Sequence, residues 1–369
     1  MRLEGKAIGI SSILALLLFL LPWESFSQVN TLGKEFFVGF LENGRPLDSV
    51  NTAPEKALII LTANERSIGT IITPRQSIPF ELEKGQQFIR EFDANAEGLI
   101  VSASGRVEKR FVQIVSSGEL AVHALNGRSY STDGTVVLPK ESLGLEYLVM
   151  SHHERARITG SSLNHTTLES SLLVLGTADN TEVEIIPSAR TQMGIPINYP
   201  LKIMLNQGDA YQIKADADLT GTIIRVLNDN NTNCKKVAVF GGNRMSSSGI
   251  CGTTGDHLFH QAYPTNTWGK SFVHIPLKDR TSGEYVKILA MEDNTEVYVN
   301  GRLETRLNAR KYTQLEFDKT QVVHIETSKP ASMAVLSKSG FCNEFFVASL
   351  GDPTLFAYSP TNQMIREAP

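Results

Sequence analysis

Beyond residue 28, apolar residues do not recur at helical spacing. They come in short β-branched and aromatic runs, each bounded by Gly, Asn, Asp or Pro. That pattern predicts strands separated by turns. In the middle of the chain the runs place strands at 172–175, 183–186, 201–205, 210–214, 222–227 and 237–240, with two more around 258–263 and 271–276. Asn206-Gln207-Gly208-Asp209 predicts a tight reversal, because glycine accepts positive φ at no steric cost.

The runs repeat over a long period. Asp-Asn-Thr-Glu-Val occurs at 179–183 and again, 114 residues later, at 293–297. Each copy follows an apolar run and precedes a short strand. A degraded copy lies upstream, where Leu58-Ile59-Ile60-Leu61 leads to Ala63-Asn64 and then to Ile68. Other parts match as well: a Gly-x-x-aromatic step recurs at Gly33–Phe36, Gly144–Tyr147 and Gly269–Phe272. Self-similarity of this length predicts an array of equivalent units, here about 33–143, 144–268 and 269–369. The expected fold class is all-β, with about eight strands per unit. Two four-stranded blades per unit would close a propeller-like ring, which short connections and the protection of strand edges favour. Tandem β-sandwiches are the alternative. Arrays of either kind bind more often than they catalyse.

The first residues read as a signal peptide, 1–27. Arg2 and Lys6 precede the apolar stretch 8–21, and Ser25-Phe26-Ser27 places small residues before a cleavage at Gln28. The expected destination is secretion or the cell surface, and no later segment is long and apolar enough to span a membrane. The remainder has the composition of a globular domain, with 41% hydrophobic and 20% charged residues. A net charge of −4 and the lack of a long basic cluster argue against a nucleic-acid partner. Of the three cysteines, Cys234 and Cys251 flank one segment and form the expected disulfide, which leaves Cys342.

The densest unusual sequence runs from Cys234 through Val237-Ala238-Val239-Phe240-Gly241-Gly242-Asn243-Arg244 to Cys251. It continues through Gly255-Asp256-His257-Leu258, Gln261, Pro264 and Thr267-Trp268-Gly269. This block, with the repeated Asp-Asn-Thr and the closing Gly351-Asp352-Pro353 and Gln363, resembles the N-terminal domain of the IgGFc-binding protein family. The likeness spans essentially Gly33 to Met364. Lys236 stands where the family has proline, and Gly255 where it has cysteine. The resemblance implies a bacterial-type secreted member: a non-catalytic binding or adhesion domain for extracellular protein or glycan ligands, without a cofactor.

The residues themselves offer other chemistry. Asp256 and His257, near Cys251 and Ser246 to Ser248, suggest a base and a nucleophile, but no Gly-x-Ser-x-Gly elbow accompanies them. Their other reading is a turn fixed by hydrogen bonds. His152 and His153, with His165, are candidate metal ligands, although neighbours in a strand point to opposite faces. Asp216-Ala217-Asp218 and Asp229-Asn230-Asn231 are oxygen-rich but lack a calcium-loop spacing. Trp268 is a candidate partner anchor or a core residue. The rivals to a binding domain are therefore a secreted hydrolase using Asp256 and His257, and a structural spacer of a larger surface protein.

Overall fold

A computed structural model describes residues 30–44, 54–128, 131–154, 169–227, 235–246, 256–277 and 283–338, and the backbone of Leu355–Tyr358. The expected signal segment 1–27, Cys234, Cys251, Cys342, His165 and Asp229-Asn230-Asn231 lie outside the described residues. Among those described, the regular elements are strands and two 3-10 turns, Lys140–Ser142 and Thr265–Thr267. The all-β expectation holds.

The strands fall into three groups along the chain. The first comprises β1 (Leu32–Val38), β2 (Phe40–Leu41), β3 (Lys56–Ala63), β4 (Ser67–Ile72), β5 (Ser77–Leu82), β6 (Gln87–Asp93), β7 (Ile100–Val101), β8 (Val107–Lys109), β9 (Val112–Arg128) and β10 (Ser131–Val137). The second comprises β11 (Glu146–Leu148), β12 (Ser170–Gly176), β13 (Thr181–Ile186), β14 (Leu201–Leu205), β15 (Asp209–Ala215), β16 (Ile223–Val226), β17 (Val237–Ser246) and β18 (Asp256–Gln261). The third comprises β19 (Gly269–His274), β20 (Glu284–Ala290), β21 (Thr295–Val299), β22 (Arg302–Leu307), β23 (Tyr312–Phe317), β24 (Val323–Ser337) and β25 (Leu355–Tyr358). Every strand expected between 172 and 276 is present.

The first and third groups are wired alike. One seven-stranded sheet runs β5-β4-β9-β3-β6, with β1 and β10 also on β9. The other runs β22-β21-β24-β20-β23, with β19 and β25 also on β24. In each, one long strand serves two sets of neighbours. The start of β9 pairs with β1 and β4, and its end with β3 and β10. In the second group two strands replace the long one: β16 belongs to β11-β16-β13-β14, and β17 to β18-β17-β12-β15-β8. In the first and third groups this pairing does not separate into the four-stranded blades of the ring expectation, because β9 and β24 each pair through both halves of their sheet.

Burial explains which runs are alternating and which are continuous. β3 buries Ala57, Ile59, Leu61 and Ala63 and turns the residues between them outward. β12 and β20 are buried throughout, because each separates two cores. Leu172 and Val174 face the core of the second group, while Leu173 and Leu175 join that of the first. Val286 and Ile288 face the third core, and Tyr285 and Leu289 pack with Leu148, Met150 and Leu258 of the second group.

The duplicated sequence forms duplicated turns. Asn180 and Asn294 both take positive φ, 54° and 57°. Thr181 Oγ1 donates to the Ala178 carbonyl at 2.8 Å, and Thr295 Oγ1 to that of Glu292 at 2.7 Å. Asp179 Oδ1 accepts from Gln207 N–H at 3.0 Å, and Asp293 Oδ1 from Ala309 N–H at 2.9 Å. The joints between groups also recur. Pro139 and Pro264 each introduce a 3-10 turn with near-identical backbone angles. A Cβ at Gly33 would fall 2.3 Å from Pro139 Cβ, and one at Gly144 2.3 Å from Pro264 Cβ. Both glycines are therefore needed to seat the proline.

Candidate functional site

The first and second groups meet along β10 and β18, which side chains rather than a backbone ladder hold together. The β10 backbone is already paired with β9. Its alternate side chains reach β18: Ser131 Oγ accepts from His257 N–H at 3.0 Å, Asp133 Oδ2 from Phe259 N–H at 2.8 Å, and Thr135 Oγ1 from Gln261 N–H at 2.9 Å. β18 reciprocates. Asp256 Oδ1 accepts from Ser131 Oγ at 2.8 Å and Thr132 N–H at 3.0 Å, and Gln261 Oε1 accepts from Leu138 N–H at 2.7 Å. The two-residue period of the strands lets each contact repeat down the seam, and the outer edge of β18 is thereby covered. Asp133 is buried, and burial holds its carboxyl well above the usual range despite two backbone donors.

This corrects the local reading of Asp256 and His257. They open a strand rather than a turn, and besides the His257 N–H bond to Asp256 Oδ1 their named partners lie more than 120 residues away. Neighbouring strand residues point to opposite faces, and neither His257 ring nitrogen bonds to Asp256 among the described residues. The His257 ring stacks on Phe259 at 6.1 Å, and Phe259 in turn stacks on Phe240 at 5.6 Å and Phe40 at 5.8 Å. Burial pushes His257 down to about 4, so the ring is neutral at physiological pH.

The other candidates are dispersed. Trp268 donates from Nε1 to the Tyr263 carbonyl at 3.2 Å and packs half-buried on the cluster containing Leu148, Met150 and Leu258. His152 faces Glu154 at 3.2 Å, whereas His153 faces Asn243 at 3.4 Å. Asp218 is held by Lys287, and Asp216 accepts from Gln192. Sequence reasoning missed Ser131, Asp133 and Thr135. The run Ser131-Thr132-Asp133-Gly134-Thr135 reads as a polar turn, and only the burial of Ser131 and Asp133 on one strand face marks them.

Beside the seam the two groups leave a cleft of about 510 Å³, lined by Glu42, Glu55, Asn95, Ile100, Ser102, Arg110, Arg128 and Arg244. Asn43 connects it to β10, donating from Nδ2 to the Ser131 carbonyl at 3.0 Å. Arg244 and Lys214 share two carboxylates. Glu42 lies 2.9 Å from Arg244 and 2.8 Å from Lys214, and Glu169 lies 3.4 Å and 3.2 Å from them. Arg110 faces Glu108 at 3.3 Å. Arg128 donates to the Asn43 carbonyl at 3.1 Å, and its carboxylate neighbour, Glu55, is 3.9 Å away. Burial pushes Glu55 up to about 7, against the Asn43 N–H and the Arg128 charge, which both act to lower it.

Comparison with known proteins gives the chain its relatives. The human IgGFc-binding protein is 21% identical over 284 residues, 74% of this chain. The chain spans only 5% of that protein's length. Two solved bacterial structures cover much of the chain. One, described as a Ca²⁺-stabilised adhesin that helps an Antarctic bacterium reach out and bind ice, matches at 8% identity over 88% of this chain and 72% of its own, with a TM-score of 0.14. The other, from work on host cell surface retention of a 1.5-MDa bacterial ice-binding adhesin, matches at 9% over 83% and 85%, with a TM-score of 0.12. At such scores neither carries an inference here. The profile of the IgGFc binding protein family, however, matches residues 133–368, well over half of the sequence, and takes in β18, the seam from Asp133 onward, Arg244 and both Asp-Asn-Thr turns. The chain belongs to the IgGFc binding protein family.

Proposed function

We propose that this chain is an exported, non-catalytic binding domain for extracellular protein or glycan ligands. The carrying observation is that Asp256 and His257, the residues a hydrolase would need, are spent on structure. The Asp256 carboxylate clamps β10, and the His257 ring is buried in an aromatic stack. Membership of a family named for binding supports the same reading.

Within this proposal the chain follows a signal peptide, 1–27, with three tandem repeats at about 33–143, 144–268 and 269–369. The shared wiring of the first and third groups and the recurring proline joints favour tandem sandwiches over a ring. The Cys234–Cys251 disulfide belongs to the proposal too.

The test is a screen of purified protein against glycans, mucins and immunoglobulins, run beside a broad hydrolase panel on wild type and His257→Ala. The proposal expects a saturable ligand and no turnover in either protein. Turnover by wild type that disappears in a folded His257→Ala variant would replace it with the hydrolase.

A further inference from the structure

We propose that the cleft between the first two strand groups is a binding site for a carboxylated sugar, with Arg128 as the residue that pairs with the carboxylate. This rests on the binding-domain reading above and names the chemistry of one ligand.

The argument starts from how the charges are matched. Arg244 and Lys214 are balanced by Glu42 and Glu169, and Arg110 by Glu108. Arg128 is not balanced in this way. Its side chain is 8% exposed, yet among the described residues its carboxylate neighbour is no closer than 3.9 Å, and its Nε is buried without an acceptor. A guanidinium carries five donors in a planar fork suited to a bidentate carboxylate, and leaving it desolvated and poorly paired is costly. The Arg244 Nε, on the same cleft, is also buried without an acceptor.

The rest of the lining selects among anions. Glu42 and Glu55 stand in the wall with the three arginines. Sulfate or a phosphate diester brings no donors, so Glu42, and Glu55 once ionised, would oppose it. A sugar acid offers one carboxylate for Arg128 and several hydroxyls that donate to carboxyls. Asn95 and Ser102 are exposed at the cleft and suit hydroxyls, while Ile100 offers one apolar contact for a ring face. The cleft volume lies within the range usual for small ligands.

Glu55 makes the site pH-sensitive. Its surroundings are the Asn43 N–H, Arg128, Glu42 and Arg244. Above about pH 7 the ionised Glu55 competes with the ligand for Arg128, whereas below it the guanidinium is left for the ligand.

The experiment is calorimetric titration of the purified chain with tri-galacturonate and N-acetylneuraminic acid, against galactose, inorganic sulfate and tetraglutamate. At least one sugar acid binds, galactose and sulfate do not, and Arg128→Gln weakens binding at least tenfold. Ser102→Trp fills the mouth from an exposed position and abolishes binding even where Arg128→Gln folds poorly. Affinity falls at least threefold between pH 6 and pH 8 in wild type and stays level in Glu55→Gln. Failure of both sugar acids to bind folded protein, or binding that survives Ser102→Trp, overturns the site. Equal binding of tetraglutamate overturns the choice of a sugar. A ligand from the wider screen that still binds Ser102→Trp would leave the binding-domain reading standing without this site, whereas no ligand of any class would remove both.

Discussion

Lys287 on β20 places a fully buried ammonium 2.7 Å from Asp218 Oδ2, tying the third strand group to the second. The same nitrogen donates to the Ser151 carbonyl at 2.8 Å and sits 4.3 Å from the centre of the Tyr312 ring. Burial pushes the ammonium below its ordinary range even with Asp218 beside it. Removing one member of such a pair strands the other. Asp218→Ala is expected to cost about 3–5 kcal/mol. Lys287→Met should cost less, because the Asp218 side chain keeps 18% exposure and its bonds to Thr220. Denaturant unfolding of the two variants checks the order, and a larger loss for Lys287→Met would contradict it.

Glu55 gives a pH signature in stability. In the unfolded chain it ionises near 4.5, but in the native chain burial delays this to about 7. The native state therefore holds an extra proton between those values, and stability is lost as pH rises through the window. Glu55→Gln removes that loss. Relative to wild type it should gain about 3 kcal/mol between pH 4.5 and pH 7.5. A constant difference between the two proteins across that range would mean Glu55 titrates normally.

The histidines of β18 act in the opposite direction. His257 and His260 are both pushed down to about 4 by burial. As pH falls below 6.5 the unfolded chain takes up protons that the native chain refuses until about 4, so stability is lost on acidification. His260→Gln should relieve part of this, gaining up to about 3 kcal/mol relative to wild type between pH 7 and pH 4. Wild type itself should show a shallow profile from pH 4.5 to 6.5, since Glu55 and Asp133 offset the histidines there. A His260→Gln curve parallel to wild type would count against the buried neutral ring.

The β10–β18 seam can be opened one bond at a time. Thr135→Val keeps the shape but leaves the Gln261 N–H without its acceptor, at about 1–3 kcal/mol. Asp256→Ala leaves both Ser131 Oγ and Thr132 N–H without that acceptor and should cost at least as much. Hydrogen exchange gives the sharper check. Thr135→Val should raise exchange at Gln261 while the β17–β12 ladder stays protected. Unchanged protection at Gln261 would show that the seam bond is not what shields it.

The duplicated turns should respond alike to the same change. Asn180 and Asn294 sit in the left-handed region, which a β-branched residue enters at a cost of about 1–2 kcal/mol. Asn180→Val and Asn294→Val are each expected to destabilise by that amount, while glycine at either position is near neutral. Thermal melts of the four variants suffice, and a large loss from valine at one site with none at the other would deny the equivalence.

What the sequence by itself determined was local. Asp-Asn-Thr forms the same turn twice because the bonds that shape it, from Thr181 to Ala178 and from Thr295 to Glu292, close within four residues. Strand positions were legible for the same reason, since the two-residue period and the turn residues act over a few positions. Only the tertiary structure decided what those strands face. The continuous apolar run of β12 was visible in the sequence, but not that Leu172 and Leu173 enter different cores. Asp256 stood out as a polar residue in a distinctive block, yet its role depends on Ser131 arriving from the neighbouring group. Glu42, Glu55 and Arg128 come from separate segments of the first group, and Arg244 joins them in one cleft only because the second group docks against the first. Such contacts depend on sheet register and on which faces meet. A one-residue slip in register would send the strand side chains among these, Leu172, Asp256, Arg128 and Arg244, to the other side of their sheets, and no local stretch of sequence encodes that choice.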